Sequence, residues 1–351
     1  MLFEIETPAV LVDLDIAEAN IDRFQAYCRL HDLNCRPHIK THKLPVLAQR
    51  QIAAGAVGIT CQKVSEAEAM IADGGIDDVL LTYNVIGAGK LSRLRALAER
   101  VTLAVVADNS QVVAGLSEAF AAGGRPLSVL VECDTGAHRC GVASPAAARD
   151  LAVTISRAPG LVFKGLMTYP PVGAAAAVQA FMTEAKALCE QAGLTVSVIS
   201  SGGAPDMWNA HQAPIVTEYR SGTYIYNDRS LVSRGVCQWS DCALTVLATV
   251  VSVPEAGRAI IDAGTKVLTS DLLGLQGYGH VLGRPDLMID QLSEEHGRIT
   301  AKGATGLAVG QQIRIVPNHA CVVSNMVDAV YALRGDKVEG AVLVAARGKV
   351  Q

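Results

Sequence analysis

The chain has 351 residues, of which 50% are hydrophobic and 18% are charged, so it holds enough apolar material for a large globular protein. The formal net charge is −4 and no basic run is present, which excludes the charge balance of a nucleic-acid-binding protein. No stretch of about 18 uncharged apolar residues occurs, so no membrane span is expected. The N-terminus lacks the apolar core of a signal peptide, and the nine cysteines are scattered, which favours a cytoplasmic protein with reduced thiols.

Strand-like and helix-like segments alternate from about residue 9 to about residue 240. In chain order the strand-like runs are AVLVDLD, NCRPHIKT, GITCQKV, DVLLTYN, VTLAVVAD, LSVLVECD, LVFKGLMTY, LTVSVISSGG and IVTEYRSGTY. This repetition indicates parallel strands joined by right-handed crossovers. Roughly eight units predict an α/β fold of the closed (β/α)8, TIM-type barrel. A doubly wound sheet is the second choice, because no G-x-G-x-x-G follows the first strand.

The pattern changes after about residue 240, where helical periodicity fades. The later strand-like runs are ALTVLATVVSVP, RAIIDAG, LAVGQQIRIVP, VVSNMVDAVYAL and KVEGAVLVAA, separated by Gly, Pro and polar turns. We therefore predict a barrel over residues 1–240 and a mostly antiparallel β domain over residues 241–351. Residues 1–10 contain a strand that can pair with either domain.

Unusual polar clusters follow several of the predicted barrel strands. They are HIKTHK (38–43), CQK (61–63), ECDTGAHRCGV (132–142), MTYPP (167–171), SSGG (200–203) and EYRSGTYIYND (218–228). Active residues of this type of barrel lie at the carboxyl ends of its strands. The sequence therefore predicts that these clusters meet at one mouth of the barrel.

Lys40 is the candidate nucleophile of the first cluster. A single lysine is usually a surface residue, but Lys40 lies in a strand-like run with Arg36, His38 and Lys43, and nearby cations favour the neutral form of a lysine amine. Lys43 is the competing lysine. The SSGG and SGTY turns could present backbone N–H groups to a phosphate, although ordinary turns that end strands look the same. A Schiff-base lysine and a phosphate site together suggest pyridoxal 5'-phosphate.

Six segments together resemble one family of enzymes. They are TPAVLVDLD, RPHIKTHK, GITCQKVSEAE, ECDTGAHRCGV, YRSGTY and PNHAC. The chain is similar to the alanine-racemase-like (fold type III) pyridoxal-phosphate enzymes, and within them to the D-threonine aldolase and D-serine dehydratase branch. The resemblance runs over nearly the whole chain. It implies a barrel plus a β domain in a homodimer, with sites near the subunit interface.

The resemblance also implies roles for individual residues. Lys40 carries the cofactor, Arg139 matches an arginine near the cofactor O3' and the substrate carboxylate, and Arg220 matches the racemase arginine that faces the pyridine nitrogen. Tyr169 is the second catalytic candidate, in a position that packs on the cofactor or handles protons. The implied cofactor-binding set is Lys40, His38, Arg139, Gly202, Gly203, Arg220, Gly222 and Tyr224.

The late motif PNHACVVSN is the candidate metal site. In a strand, residues two apart point to the same face, so His319 and Cys321 could reach one metal ion. A lone His-x-Cys is usually incidental, but its place in the β domain and the family resemblance favour a site here. Imidazole and thiolate suit Zn²⁺ best, with Mn²⁺, Co²⁺ or Mg²⁺ as alternatives. Such a metal would act on the β-hydroxyl of a D-3-hydroxy amino acid.

The resemblance leaves the reaction open. The overall match favours a D-threonine aldolase, which forms glycine and an aldehyde, and this is the first expectation. Cys321 and Arg220 instead match a dehydratase acting on D-serine or D-3-hydroxyaspartate, which forms a 2-keto acid and ammonia. A racemase would explain Arg220 but not the metal pair. A non-enzymatic cofactor-binding protein would not need residues 241–351.

Overall fold

The structure, a computed structural model, describes residues 4–335 and 337–351. The strands are β1 (Ala9–Asp13), β2 (Asn34–Cys35), β3 (Ile59–Cys61), β4 (Asp78–Leu81), β5 (Thr102–Ala107), β6 (Leu127–Cys133), β7 (Leu161–Thr168), β8 (Val198–Gly202), β9 (Glu218–Arg220), β10 (Leu244–Glu255), β11 (Arg258–Ile261), β12 (His280–Val281), β13 (Met288–Leu292), β14 (Gly297–Thr300), β15 (Gln312–Val316), β16 (Ala329–Arg334) and β17 (Lys337–Leu343). The α-helices are α1 (Leu14–Leu30), α2 (Pro45–Ala53), α3 (Val64–Met70), α4 (Ala88–Ala98), α5 (Ser110–Phe120), α6 (Pro145–Arg157), α7 (Ala175–Gln191), α8 (Arg229–Ser233), α9 (Thr265–Leu268) and α10 (Ala320–Met326). Within this part of the chain, no helix is both long and apolar enough to cross a membrane.

The chain divides into two units. The barrel unit consists of Phe24–Lys40, Pro45–Gly222 and Lys349–Gln351, and the β unit consists of the N-terminal residues up to Arg23, Thr41–Leu44 and Thr223–Gly348. The domain boundary expected near residue 240 stays a prediction.

The barrel unit is built on one sheet of eight parallel strands. Their order is β2-β9-β8-β7-β6-β5-β4-β3. A parallel bridge between His38 and Thr60 joins the two edges, so the sheet curls and closes on itself. Helices α2 to α7 alternate with the strands along the chain, as right-handed crossovers require. The predicted eight-stranded α/β barrel is confirmed.

Alternate residues of the barrel strands point inward and fill the interior. Leu80, Val106, Leu130 and Met167 form one buried apolar cluster contributed by four neighbouring strands. Gly165 lies where β7 changes register against β6. A Cβ atom at Gly165 would lie 1.9 Å from the carbonyl oxygen of Val198, so only glycine lets β7 and β8 approach this closely.

The β unit contains a second, mostly antiparallel sheet, which confirms that part of the predicted architecture. Its main path is β13-β14-β11-β10-β1-β16-β17, and β15 pairs with both β10 and β12. Strand β1 pairs antiparallel with β10 and parallel with β16. The core beside β1 includes Leu11, Leu247 and Leu333.

Two segments that look strand-like in the sequence fold differently. The strand in NCRPHIKT ends at Cys35, and Ile39–Thr41 form a 3₁₀ turn, because Pro37 has no N–H for a ladder. The valine-rich segment after His319 is the helix α10 rather than a strand. Its first N–H, that of Ala320, donates to the buried carboxylate of Asp228, so a tertiary contact overrides the β preference of valine.

Candidate active site

Lys40 lies in the 3₁₀ turn Ile39–Thr41 that follows strand β2, and its side chain is exposed. The backbone N–H of Lys40 donates to Nδ1 of His38 at 3.4 Å. Nε2 of His38 lies 3.1 Å from Oε1 of Gln62, so the neutral imidazole accepts at Nδ1 and donates at Nε2. His38 is buried, and its hydrogen bond to the Lys40 N–H holds the backbone that presents the Lys40 side chain.

The other basic side chains of this segment have partners of their own. Arg36 donates from Nε to Glu218 Oε2 at 2.6 Å and from Nη1 to Asp78 Oδ1 at 2.5 Å. Lys43 donates from Nζ to the carbonyl oxygen of Ala346 at 3.2 Å. The cations that the sequence places around Lys40 are therefore drawn into separate hydrogen bonds.

Arg139, Tyr169 and Gly203 come together after strands β6, β7 and β8. The guanidinium of Arg139 lies 4.6 Å from the ring centroid of Tyr169, a cation–π contact. The Tyr169 side chain remains 41% exposed at the barrel mouth. A Cβ atom at Gly203 would lie 3.7 Å from the Tyr169 ring, and its φ of 128° requires glycine.

Gly202 sits opposite Arg220 in the β8–β9 pairing. A Cβ atom at Gly202 would lie 2.4 Å from the carbonyl oxygen of Arg220, so the two backbones meet without room for a side chain. Gly203 N–H then donates to the same carbonyl at 3.0 Å. Gly222 follows β9 in a half-buried bend.

Arg220 points its guanidinium into the barrel unit. Nη1 donates to Ser200 Oγ at 2.5 Å, and Nη2 donates to the carbonyl oxygen of Thr168 at 2.8 Å. Burial lowers the pKa of Arg220 to about 10, although the carboxylates of Glu218 and Glu132 oppose this shift. A guanidinium with this pKa is still charged at neutral pH.

The candidate metal pair lies at the start of helix α10 in the β unit. His319 is the extended residue before the helix, and Cys321 lies in its first turn, so the strand spacing expected for the pair is wrong. The two side chains nevertheless hydrogen-bond to each other. Cys321 Sγ also lies 3.1 Å from Thr41 Oγ1 and 3.5 Å from Thr223 Oγ1.

These contacts set the charge state of the pair. Burial raises the pKa of Cys321, but the hydrogen bonds from His319, Thr223 and Thr41 outweigh it and hold that pKa below its usual value. Burial lowers the pKa of His319, but the hydrogen bonds to Asp228 and Cys321 raise it overall, to about 10. The thiolate, which is the form that binds metals, is thereby favoured.

Asp228 is the residue of this site whose role sequence reasoning missed. Its Oδ2 accepts from Nδ1 of His319 at 3.0 Å and from the N–H of Ala320 at 3.1 Å, and its Oδ1 caps helix α8. Because Asp228 occupies Nδ1, Nε2 is the nitrogen of His319 left for a metal. An Asp just before a helix is a capping signal, which could have marked the residue.

The protein donors available to a metal are few. In residues 4–335 and 337–351, no group of three or more His, Cys, Asp or Glu side chains is arranged to hold a metal ion. A metal held by the candidate pair His319 and Cys321 would therefore have coordination positions open for water and substrate. Tyr224, from the predicted cofactor-binding set, is buried in the β unit.

Comparisons with known proteins identify the family. Residues 12–230 match the model of the alanine racemase N-terminal domain, and residues 243–333 match the serine dehydratase domain. The chain is 34% identical to the D-threonine aldolase of an Arthrobacter species, over 99% of this chain and 94% of that protein. The fold and the site thus define an enzyme of the alanine racemase-like class.

Two solved structures narrow the class. The D-threonine aldolase of Filomicrobium marinum matches with a TM-score of 0.93 and 33% identity, over 100% of this chain and 98% of that one. A cysteine-to-alanine mutant of D-threo-3-hydroxyaspartate dehydratase, in its metal-free form, matches with a TM-score of 0.86 and 31% identity, over 97% and 98%. The chain belongs to the alanine racemase-like pyridoxal-phosphate enzymes, in their branch of D-amino-acid aldolases and dehydratases, as the sequence predicts.

Proposed function

We propose that this enzyme is a pyridoxal phosphate- and metal-dependent lyase that acts on D-3-hydroxy amino acids. Its reaction is the retro-aldol cleavage of the Cα–Cβ bond, which releases glycine and an aldehyde from a substrate such as D-threonine. The full-length similarity to a D-threonine aldolase, with a TM-score of 0.93, carries the proposal.

The barrel unit has residues that fit the cofactor. The exposed amine of Lys40 is proposed to hold it covalently, and the backbone at Gly202 and Gly203 is proposed to face its phosphate. Gly203 leaves open space there, because a Cβ atom at this position would come no closer than 3.7 Å to the Tyr169 ring. Gly222 is proposed to serve the same phosphate. When bound, pyridoxal phosphate supplies an electron sink for the bond that is broken in the substrate.

Arg139 and Tyr169 are proposed to handle the substrate. The exposed guanidinium of Arg139 can bind the substrate carboxylate through two parallel hydrogen bonds. Its contact with the Tyr169 ring restricts the orientation of both side chains. The Tyr169 hydroxyl is proposed to take or return a proton during the reaction.

The β unit is proposed to hold a divalent metal on His319 and Cys321. Zn²⁺ suits imidazole and thiolate best, and Mn²⁺, Co²⁺ and Mg²⁺ are alternatives. A related dehydratase is described in a metal-free form, which supports a metal in this branch of the family. A Lewis acid on the substrate β-oxygen would favour loss of the hydroxyl proton in an aldolase and loss of hydroxide in a dehydratase.

The second candidate function is a dehydratase that forms a 2-keto acid and ammonia. The residue that favours it is Cys321, because the resemblance associates His-x-Cys with dehydratases. The Cys321 thiol is held within hydrogen-bonding distance of Thr41 and Thr223. The buried, charged Arg220 also favours a dehydratase. It would keep the ring nitrogen unprotonated and so weaken the electron sink.

Two properties rest on the sequence and the family resemblance. We propose that the enzyme works as a homodimer and that it is cytoplasmic. A molar mass in solution of about twice the 36.7 kDa of one chain would support the first. A fraction of tagged protein that sediments with membranes would contradict the second.

Product analysis tests the proposed reaction. The purified enzyme, loaded with pyridoxal phosphate and Zn²⁺, is incubated separately with D-threonine, D-serine and D-3-hydroxyaspartate, with L-threonine as the stereochemical control. Glycine and acetaldehyde from D-threonine support the aldolase. A 2-keto acid with ammonia supports the dehydratase, and appearance of the L-enantiomer alone would contradict both.

A further inference from the structure

A row of polar side chains runs through the interior of the barrel unit. Arg220 Nη1 lies 2.5 Å from Ser200 Oγ, which lies 2.6 Å from Glu218 Oε1. The other carboxylate oxygen of Glu218 lies 2.6 Å from Arg36 Nε, and Arg36 Nη1 lies 2.5 Å from Asp78 Oδ1. We refer to these five side chains as the polar row.

The direction of the hydrogen bonds in the polar row is determined by chemistry. A guanidinium can only donate and a carboxylate can only accept. The single O–H of Ser200 must therefore donate to Glu218, which leaves a lone pair of Ser200 for the N–H of Arg220. Ser200 has no alternative orientation that satisfies both neighbours.

The polar row is costly to bury. Ser200, Glu218 and Arg220 are all buried, and buried charges are stabilising only when they are paired and hydrogen-bonded. The neighbouring interior cluster of Leu80, Val106, Leu130 and Met167 shows that apolar side chains fill this barrel well. Replacing a buried ionic group by apolar residues is often neutral or stabilising, so packing alone does not account for the row.

We propose that Ser200 and Glu218 are positioning residues that hold the guanidinium of Arg220 in place and balance its charge, and that they thereby set the protonation of the cofactor's ring nitrogen. This inference rests on the proposed function, because it takes Arg220 as the residue that faces that nitrogen. A fixed cationic donor keeps the nitrogen unprotonated, since two positive charges in contact repel. The β8–β9 register, which pairs Ser200 with Glu218 and Gly202 with Arg220, places all of these groups.

The same barrel offers a matched control for the serine. A cavity of about 100 Å³ is lined by Arg36, Asp78 and Glu218 of the polar row, and also by Ser128 of strand β6. Ser128 is a barrel serine beside the row but outside it. Its hydroxyl can be removed without breaking any bond of the row.

The test compares Ser200→Ala with Ser128→Ala in the holoenzyme loaded with pyridoxal phosphate that is ¹⁵N-labelled in the ring. We expect Ser128→Ala to keep the wild-type nitrogen shift. We expect Ser200→Ala to bind the cofactor but to move the shift towards that of a protonated ring nitrogen. Its kcat should change by roughly tenfold, while KM stays close to wild type, because a hydrogen bond to a charged group is worth about that factor.

A second pair of variants shows whether Ser200 acts through Arg220. In the Arg220→Gln background, Ser200→Ala should no longer move the nitrogen shift, since the effects of two coupled residues are not additive. Ser200→Cys is measured in parallel, because its thiol fills a volume similar to that of the hydroxyl but accepts hydrogen bonds only weakly. Ser200→Cys should move the shift in the same direction. An effect that appears in both variants is then not caused by a folding defect of Ser200→Ala.

The outcomes separate this inference from the proposed function. If wild-type protein binds no pyridoxal phosphate, the proposed function fails and the inference fails with it. If wild type binds the cofactor and both Ser200 variants keep its nitrogen shift, only the inference is overturned. An equal shift caused by Ser200→Ala with and without Arg220 would also overturn it.

Discussion

The barrel unit and the β unit place their candidate catalytic residues in different ways. In the barrel unit, Lys40, Arg139, Tyr169 and Gly203 each follow a different strand, so the parallel topology selects their positions. In the β unit, His319 and Cys321 lie at the start of one helix and depend on contacts to Asp228 and Thr223. The first arrangement is set by the fold, and the second by a few side-chain hydrogen bonds.

Replacing Lys40 should have the largest effect and should be confined to the cofactor. Lys40→Ala removes the amine that is proposed to hold pyridoxal phosphate, so activity should fall by several orders of magnitude. Metal content should stay that of wild type. Borohydride reduction followed by mass spectrometry of the peptide checks the attachment. Lys43→Ala, at the competing lysine, is the control and should keep the adduct. A reducible adduct that survives in Lys40→Ala would contradict the assignment.

Replacing His319 should show the reverse pattern. His319→Ala should lose the metal and roughly 10²–10³-fold of the activity, as expected when electrostatic stabilisation of a developing oxyanion is removed. Cofactor absorbance should be retained. Metal analysis and spectra of the same sample provide the measurement, with the exposed His296→Ala as the matched histidine control. A His319→Ala protein with wild-type metal content would remove this pair from the metal site.

A substitution at Asp228 tests whether metal binding by His319 and Cys321 depends on the hydrogen bond between Asp228 and His319. Asp228→Asn keeps the size of the side chain but weakens its bond to Nδ1 of His319, so metal affinity should fall by about 10–100-fold. Competition with a chromophoric chelator gives the affinity. The exposed Asp286→Asn is the control. An unchanged affinity would mean that His319 is oriented without Asp228.

A smaller effect is expected at Arg139, where the charge can be kept and only the shape changed. Arg139→Lys loses the planar guanidinium that lies against Tyr169 and the ability to make two parallel hydrogen bonds to a carboxylate. KM should rise by roughly tenfold, with metal content unchanged. Steady-state kinetics with D-threonine provide the measurement, and an unchanged KM would argue against carboxylate binding by Arg139.

The difference between the units also explains what the sequence could reveal. The alternation of strand and helix predicts the eight-stranded barrel, and the barrel rule then places Lys40, Tyr169 and Arg220 at or after the carboxyl ends of their strands. The helix after His319 is not predictable from a valine-rich run, because the capping carboxylate of Asp228 is 92 residues away in the chain. The polar row is equally hidden, since Ser200 and Glu218 meet only through the β8–β9 register.

The basic segment around Lys40 shows the limit of local patterns. Its alternating cations predict a crowded positive strand, but Arg36 is neutralised by Glu218 and Asp78, which lie far from it in sequence. The identity of the candidate nucleophile is unaffected, because it depends on position after β2. The electrostatic argument for that nucleophile, in contrast, depends on tertiary partners that the segment does not contain.

The most direct test of the account is to follow one enzyme sample through metal removal and return. Holoenzyme is incubated with D-threonine before chelation, after chelation and after Zn²⁺ is restored, and glycine and acetaldehyde are quantified. The account predicts equimolar products, loss of both on chelation with cofactor absorbance retained, and recovery with Zn²⁺. Undiminished product formation by the fully metal-stripped enzyme would contradict it.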